Sequence, residues 1–402
     1  MKFDQLLESF KEFGTATRCF ERKIDGRVVP YFVNEFWTSK QRAAHSLHEV
    51  SYRACFKPQL PRFFIERLTV TGDTVYDPFM GRGTTLLESA LLGREVVGCD
   101  VNPLAPILCG PRLQPPSIEE VLARLEEISF TGKVRSEKEE LNVFFHPETM
   151  VQMRALRDYF DEKGLFQDEV DHWIRMVATN RLTGHSPGFF SVYTLPPNQA
   201  ASIRSQEKIN AKRNQTPEVK DVAAIIAKKS RSLLKQLSQE ERVALSAGGP
   251  RARLVTASAA ETPELEDESI DLVVTSPPFL DVVDYQGDNW LRCWFNGIDA
   301  KQVKIWGYRK PEDWQEAMRR VFCELRRVLK PSGHIAFEVG EVRNGKILLE
   351  ELVISAGAAA GLEPLLVLVN EQEFTKTANC WGVDNLGKGT NTNRIVLLCK
   401  KN

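Results

Sequence analysis

Ser276-Pro277-Pro278-Phe279 sets a hydroxyl, two prolines and an aromatic ring in four consecutive positions. Proline fixes φ at about −65° and carries no N–H, so the loop is stiff and its carbonyls remain acceptors. Ser276 Oγ and the Pro277 carbonyl are then two acceptors in a rigid frame, and Phe279 offers a face on which a planar ring stacks. That combination suits an exocyclic amine of a nucleobase, whose lone pair is delocalised into the ring and becomes reactive when two acceptors hold its hydrogens. A serine-capped structural turn with Phe279 in the core is the competing reading of these four residues taken alone.

Asp77-Pro78-Phe79-Met80-Gly81-Arg82-Gly83-Thr84-Thr85 lies where a strand gives way to a helix. Glycines there let backbone N–H groups approach a ligand, and the helix N-terminus favours polar groups. Asp77 ends one strand and Asp100 ends the next about twenty residues on, where a carboxylate can accept both hydroxyls of a ribose. The spacing fits adenosine. It leaves a dinucleotide open as well, although the loop has fewer glycines than a dinucleotide fingerprint, and a Gly-x-Gly alone is equally a plain tight turn.

These loops must be carried by strands and helices. Residues 74–77, 84–92 and 95–100 read as a β-α-β unit, and the alternation resumes with strands at 253–256 and 270–275, a helix over 314–329 and strands at 334–339, 365–369 and 394–399. Ala317, Val321, Leu325 and Val328 recur at helical spacing, which predicts one face buried on the sheet, and Lys330-Pro331-Ser332-Gly333 reads as the turn that stops this helix. SPPF follows the strand at 270–275 directly and so emerges at the carboxyl edge, where open α/β sheets bind ligands. Between 111 and 250 the text turns polar and helical, with Pro147 placed as a first helical residue.

Composition excludes more than it selects. A hydrophobic share of 42% fills a core for a chain of 402 residues, while 53 basic against 54 acidic residues leave no overall field toward polyanions, so any nucleic-acid contact has to be local. The eight cysteines form no Cys-x-x-Cys pair, and His45, His48, His146, His172, His185 and His334 show no ligand spacing, so no metal is expected. The first residues, MKFDQLLESFKEFG, are charged and amphipathic rather than a signal core, and no apolar run reaches membrane-spanning length; a cytoplasmic protein with no membrane partner is the expectation.

DPFMGRGTT followed by VGCDVNP resembles the cofactor half of amino-methylating (N4-cytosine / N6-adenine) S-adenosylmethionine-dependent DNA methyltransferases, whose pattern is Asp-Pro-Phe-x-Gly-x-Gly-Thr-Thr. The resemblance implies a Rossmann-like class I methyltransferase core, α/β with a mostly parallel seven-stranded sheet, interrupted by a mainly helical insertion. It implies that Asp77, Pro78, Phe79, Gly81, Gly83 and Thr84 surround the methionine part of the cofactor, with Asp100 on the ribose and Asn102 beside it. Phe56-Lys57-Pro58-Gln59-Leu60-Pro61 resembles the family's Pro-containing element that borders the cofactor, and Ser258 stands where the family has an acid for adenine. Serine at the head of Ser-Pro-Pro marks cytosine N4 enzymes, whereas Asp or Asn marks adenine N6 enzymes. Cys293 lacks the Pro-Cys context of enzymes that attack the cytosine ring, so ring-carbon methylation is disfavoured.

The resulting division is an N-terminal segment with the cofactor half over 1–110, an insertion over 111–250 as target-recognition region, and a catalytic half over 251–402. In the insertion, residues 204–235 carry nine Lys or Arg against three acids, and Lys208, Lys212 and Arg213 are the candidates for DNA-phosphate contact, a solvated helix face being the alternative. The nearby aromatic run 188–193, together with Asp284-Tyr285 and the tryptophans at 290 and 294, reads either as base-contacting or as core. The expected substrate is double-stranded DNA with its target base flipped out, and a cognate restriction endonuclease is the partner the resemblance allows. An adenine N6 enzyme, an RNA methyltransferase and an inactive nucleic-acid-binding module are the other readings.

Overall fold

The computed structural model describes residues 3–38, 44–53, 55–132, 139–278, 280, 284–342, 346–371 and 393–401. The chain opens with α1 (Phe3–Glu8), β1 (Arg18–Ile24), β2 (Arg27–Asn34), α2 (Gln59–Leu68), β3 (Thr74–Asp77), α3 (Thr84–Leu91), β4 (Glu95–Asp100) and α4 (Leu104–Leu113). Helices α5 (Ile118–Glu127), α6 (Pro147–Lys163), α7 (Glu169–Arg181), α8 (Ile203–Arg213), α9 (Val222–Leu234) and α10 (Gln239–Gly248) follow before β5 (Arg253–Thr256). The remainder is β6 (Ile270–Thr275), α11 (Tyr285–Phe295), α12 (Pro311–Val328), β7 (Leu329–Val339), the small pair β8 (Glu341–Val342) and β9 (Ile347–Leu348), α13 (Leu349–Ala359), β10 (Leu362–Asn370) and β11 (Asn393–Lys400).

The main sheet has the order β1-β2-β10-β11-β7-β6-β3-β4-β5. From β7 to β5 the neighbours are parallel, and β11 runs antiparallel between β7 and β10. These seven strands are the mostly parallel core expected from the alternation. The β1–β2 hairpin extends it, with β2 parallel to β10. No strand was expected there, yet the sequence carries its signal: Asp25-Gly26 joins two runs of strand-forming residues, with φ of 46° and 80° as a two-residue hairpin turn requires. The turn expected at 330–333 is absorbed into β7 as a bulge, because pairing jumps from Leu329 to His334 while β6 advances only from Ile270 to Leu272. Lys330 Nζ, 2.8 Å from Asp271 Oδ1, ties that bulge to β6.

Strand alternation divides the buried residues between two faces. Val75, Leu272, Val274 and Ala336 face Phe63 and Phe64 of α2, whereas Tyr76, Val273, Ile335 and Phe337 face α12 and α13. In α12, Pro311 takes the first helical position, three residues ahead of the expected start, and Trp314, Ala317, Val321, Leu325 and Val328 are all buried. Helices α5 to α10 share a core with α3 and α4, in which Trp173 of α7 donates its indole N–H to Ser230 of α9 at 3.0 Å. No described helix is long and apolar enough to cross a membrane.

Candidate active site

Asp77 and Asp100 end adjacent parallel strands, so their carboxyls reach the same rim of the sheet. Asp77 is 2% exposed; its Oδ1 accepts the Thr275 hydroxyl at 2.6 Å and the Phe79 N–H at 3.1 Å, which clamps the end of β6 to the loop after β3. Asp100 Oδ2 accepts the Gly81 N–H at 2.9 Å and Oδ1 accepts the Asn102 N–H at 2.8 Å. Burial pushes the Asp77 carboxyl up to about 7 and that of Asp100 up to about 6. A carboxylate oxygen has two lone pairs, so each Asp100 oxygen keeps one acceptor site after its backbone bond.

The two loops meet in one cavity of about 760 Å³. Asp77, Pro78, Phe79, Gly81, Thr84 and Asp100 form one side, and Ser276 and Pro278 reach in from the end of β6. Tyr52, Arg53, Cys55 and Phe56 close it from before α2, and Ile305 and Trp306 from before α12, with the Trp306 ring edge-on to Phe79 at 5.9 Å. Gly83 and Asn102 stand behind this wall. Gly83 has φ +73°, and a Cβ on it would meet Cys109 Sγ at 2.2 Å, so its requirement is the tight turn and the approach of α4. Asn102 is buried, its amide 3.4 Å from the Tyr52 hydroxyl.

Of the loop after β6, Pro277 is buried. The Pro278 carbonyl is not left open as the stiff loop was expected to leave its acceptors: it accepts the Trp314 indole N–H at 2.9 Å. Phe279 lies outside the described residues. The Ser276 hydroxyl is hydrogen-bonded to Glu338, a side chain that residue-by-residue reading missed. Glu338, 4% exposed near the end of β7, also accepts the Asn393 amide at 2.8 Å, and burial pushes its carboxyl up to about 7. Its signal was available, since an acid near the carboxyl end of an apolar strand is the pattern that singled out Asp77 and Asp100. Tyr52, Arg53, Ile305 and Trp306 had no comparable signal, because they reach the cavity from segments outside the strand-end loops.

The other expected site residues separate. Phe189 and Phe190 are core, at 4% and 0% exposure, and Trp290 donates to the Ala201 carbonyl at 3.2 Å and packs on Phe144, so both are structural. Trp294 lies under Arg157 at 5.0 Å. Asp284 caps α11, and the side chain of Tyr285 is outside the described set. Lys208, Lys212 and Arg213 are exposed on α8, with the Arg213 guanidinium 3.7 Å over the ring of Tyr193. Ser258 does not line the cavity; its neighbour Ala259 does. Among the described residues no three His, Cys, Asp or Glu side chains group as metal ligands.

The cavity's chemistry tests what it can hold. An acceptor carboxyl with spare lone pairs suits a vicinal diol, and the apolar walls of Phe79, Val101, Ile305 and Trp306 suit a flat heterocycle. Two buried carboxyls, with no cationic partner hydrogen-bonded to them among the described residues, suit a ligand carrying positive charge. S-adenosylmethionine meets all three demands.

Residues 25–105 match the family model described as DNA methylase. Over 311 residues the chain is 24% identical to the Type II methyltransferase M.BsoBI of Geobacillus stearothermophilus, covering 72% of this chain and 58% of that one. It is 24% identical over 268 residues to the Type II methyltransferase M.MvaI of Kocuria varians, covering 61% and 55%. A shorter match, 35% over 63 residues, links it to the tRNA (guanine(10)-N2)-dimethyltransferase of Methanocaldococcus jannaschii, covering 15% of this chain and 18% of that one. The chain thus spans little more than half the length of the two longer-matching relatives.

Proposed function

We propose, from the resemblance to amino-methylating DNA methyltransferases borne out over residues 25–105, that this protein methylates an exocyclic base amine in double-stranded DNA, with cytosine N4 as the target. The observation that carries the reading is the single cavity shared by the Asp77–Asp100 side and by Ser276. When bound, the cofactor supplies a methyl group on a sulfonium. Everything else falls to the chain.

Ser276 accepts a hydrogen of the target amine while donating its own to Glu338, and the Pro277 carbonyl accepts the second. As the nitrogen takes the methyl group, the N–H proton passes to the Ser276 oxygen and the serine proton to Glu338. The amine becomes a methylamine, the sulfonium a thioether, and the carboxylate a carboxylic acid. A carboxyl near 7 both takes that proton and returns it to water at neutral pH. Enclosure by Tyr52 and Trp306 orients the reactants and excludes water. A base reaches this depth only when flipped from the duplex. M.BsoBI and M.MvaI are named Type II methyltransferases, which supports that role here, and a cognate endonuclease is the partner that the sequence resemblance allows.

Incubation with labelled S-adenosylmethionine and unmethylated genomic DNA, followed by digestion to nucleosides, tests it. Label in N4-methylcytosine is the expected result, and label in N6-methyladenine moves the target to the adenine amine, which the same acceptors would hold. The tRNA match favours a second substrate arm, since that relative's name also specifies an exocyclic amine. Label entering tRNA alone would overturn DNA as the substrate.

A further inference from the structure

A second cavity, of about 1090 Å³, opens beside the first on the other side of the Gly81-Arg82-Gly83 turn. Lys57, Arg82 and Lys235 line it, together with His48, Gln59 and Glu49. Arg82 spends Nε on the Thr84 hydroxyl (3.2 Å) and Nη1 on the carbonyls of His48 (3.1 Å) and Val50 (2.8 Å), which leaves Nη2 without a partner among the described residues. The Lys57 ammonium pairs with no carboxylate among the described residues; burial, and secondly the charge of Arg82, hold it below the usual lysine range. Glu49 is the one acid among the described residues of this wall, and Lys229 (3.1 Å), Ser232 (3.1 Å) and Lys235 (3.6 Å) already engage it.

Buried polar atoms without partners among the described residues mark the same place. The His48 side chain is 4% exposed, gives Nε2 to Glu88 at 2.6 Å, and leaves Nδ1 unpartnered; both polar ends of the Gln59 amide are unpartnered too. Such groups are costly to bury unless something completes them. Gln59 is also the first residue of α2, and its backbone N–H is the one this helix start offers, since the Leu60 N–H donates to the Lys57 carbonyl at 3.0 Å and Pro61 has none. Two cations in excess of the single acid, an amide donor and the Gln59 backbone N–H are a set for a tetrahedral oxyanion, with the bare His48 Nδ1 as acceptor for a water held on it.

We infer that this cavity binds a phosphate of the DNA backbone, and the inference rests on the reading of DNA as the substrate. Lys57 follows Phe56 and Arg82 follows Gly81, residues that line the reaction cavity, so the two sites are one residue apart along two segments. A base delivered to Ser276 arrives on a sugar-phosphate chain, and a fixed phosphate beside the cavity sets its position.

The test uses the full chain with Lys57→Met and, separately, Lys235→Gln. Duplex binding is followed by fluorescence anisotropy over a range of salt concentrations. Each variant is expected to bind several-fold more weakly at low salt and to lose about 0.9 from the slope of log affinity against log salt. The unfolding temperature of Lys57→Met should not fall, because the cation removed is half-buried and pairs with no described carboxylate. Wild-type slope and affinity in both variants would overturn the inference. In a second arm, inorganic phosphate is titrated at fixed ionic strength and read by phosphorus NMR. Loss of phosphate binding in Lys57→Met, with the DNA slope intact, would assign the site to free phosphate and overturn the DNA source. Methyl transfer by the unaltered protein, measured in parallel, reports on the parent reading by itself.

Discussion

At the scale of single residues, the proposed methyl transfer depends on hydrogen bonds that a one-atom change removes. Ser276→Ala should lower methyl transfer by about 10²–10⁴-fold while cofactor affinity holds, measured by single-turnover transfer and by titration calorimetry. Asp100→Ala should do the reverse, weakening cofactor binding by roughly 10–100-fold as the charge-assisted bonds to the ribose disappear. Glu338 adds a pH signature. Its carboxyl titrates near 7 in the folded chain against 4.5 ordinarily, so the transfer rate should fall as pH drops through about 7, and Glu338→Gln should abolish that limb along with most of the rate. The same shift has a stability consequence. A raised carboxyl favours the folded state fully below its unfolded pKa and loses that contribution as pH rises through the folded value. Glu338→Gln should therefore gain stability relative to the parent between pH 5 and pH 8, by at most roughly 3 kcal/mol, in parallel urea titrations.

At the scale of elements, the strand ends decide where chemistry happens, and the turns decide whether the strand ends can meet. Gly83 starts α3 in the left-handed region against Cys109 of α4. Gly83→Ala should cost about 2–4 kcal/mol by strain and overpacking, and should also weaken the cofactor site, because Gly81 and Thr84 hang on the same turn. Thermal unfolding with and without cofactor would check both. The helices between β4 and β5 have their own clasp: Arg124 of α5 reaches Asp168 at 2.8 Å and the fully buried Asp171, which Lys163 also engages at 2.8 Å. The Asp168 carboxyl lies well below the usual range because of this arginine, so its contribution is present above the ordinary carboxylate pKa and is lost as pH falls through the depressed value. Arg124→Met should destabilise the chain by about 3 kcal/mol at pH 7, and less in strong acid, as urea titrations at the two pH values would record.

At the scale of the whole molecule, a net charge of −1 gives DNA no general attraction, so binding must be local and salt-sensitive. The exposed cations of α8 are one proposed locus. Replacing Lys208, Lys212 and Arg213 by Gln should weaken binding to all duplex sequences alike and reduce the salt slope by up to about 0.9 for each phosphate no longer neutralised. An unchanged slope would return α8 to the solvated face that its composition equally allows. The molecule also shows why the loops after β3 and β6, about 200 residues apart in sequence between Asp77 and Ser276, share a cavity: β3 and β6 are adjacent and parallel, and the helices between them are accommodated outside the sheet.

The sequence by itself determined the parallel strands, their carboxyl ends and the acids and serine placed there, because period-two and helical patterns and strand-end loops are local properties. Asp77, Asp100 and Ser276 were legible for that reason. The tertiary structure alone decided which distant side chains complete the site. Glu338 reaches Ser276, and Asn393 reaches Glu338, only because β7 and β11 lie next in the sheet, and Tyr52 and Trp306 close the cavity from loops with no local signature. It also decided that Phe190 is core and that Trp290 packs against that core, since an aromatic run has the same pattern whether it meets a base or another ring. Register and neighbour order are properties of the assembled sheet, and no window of sequence contains them.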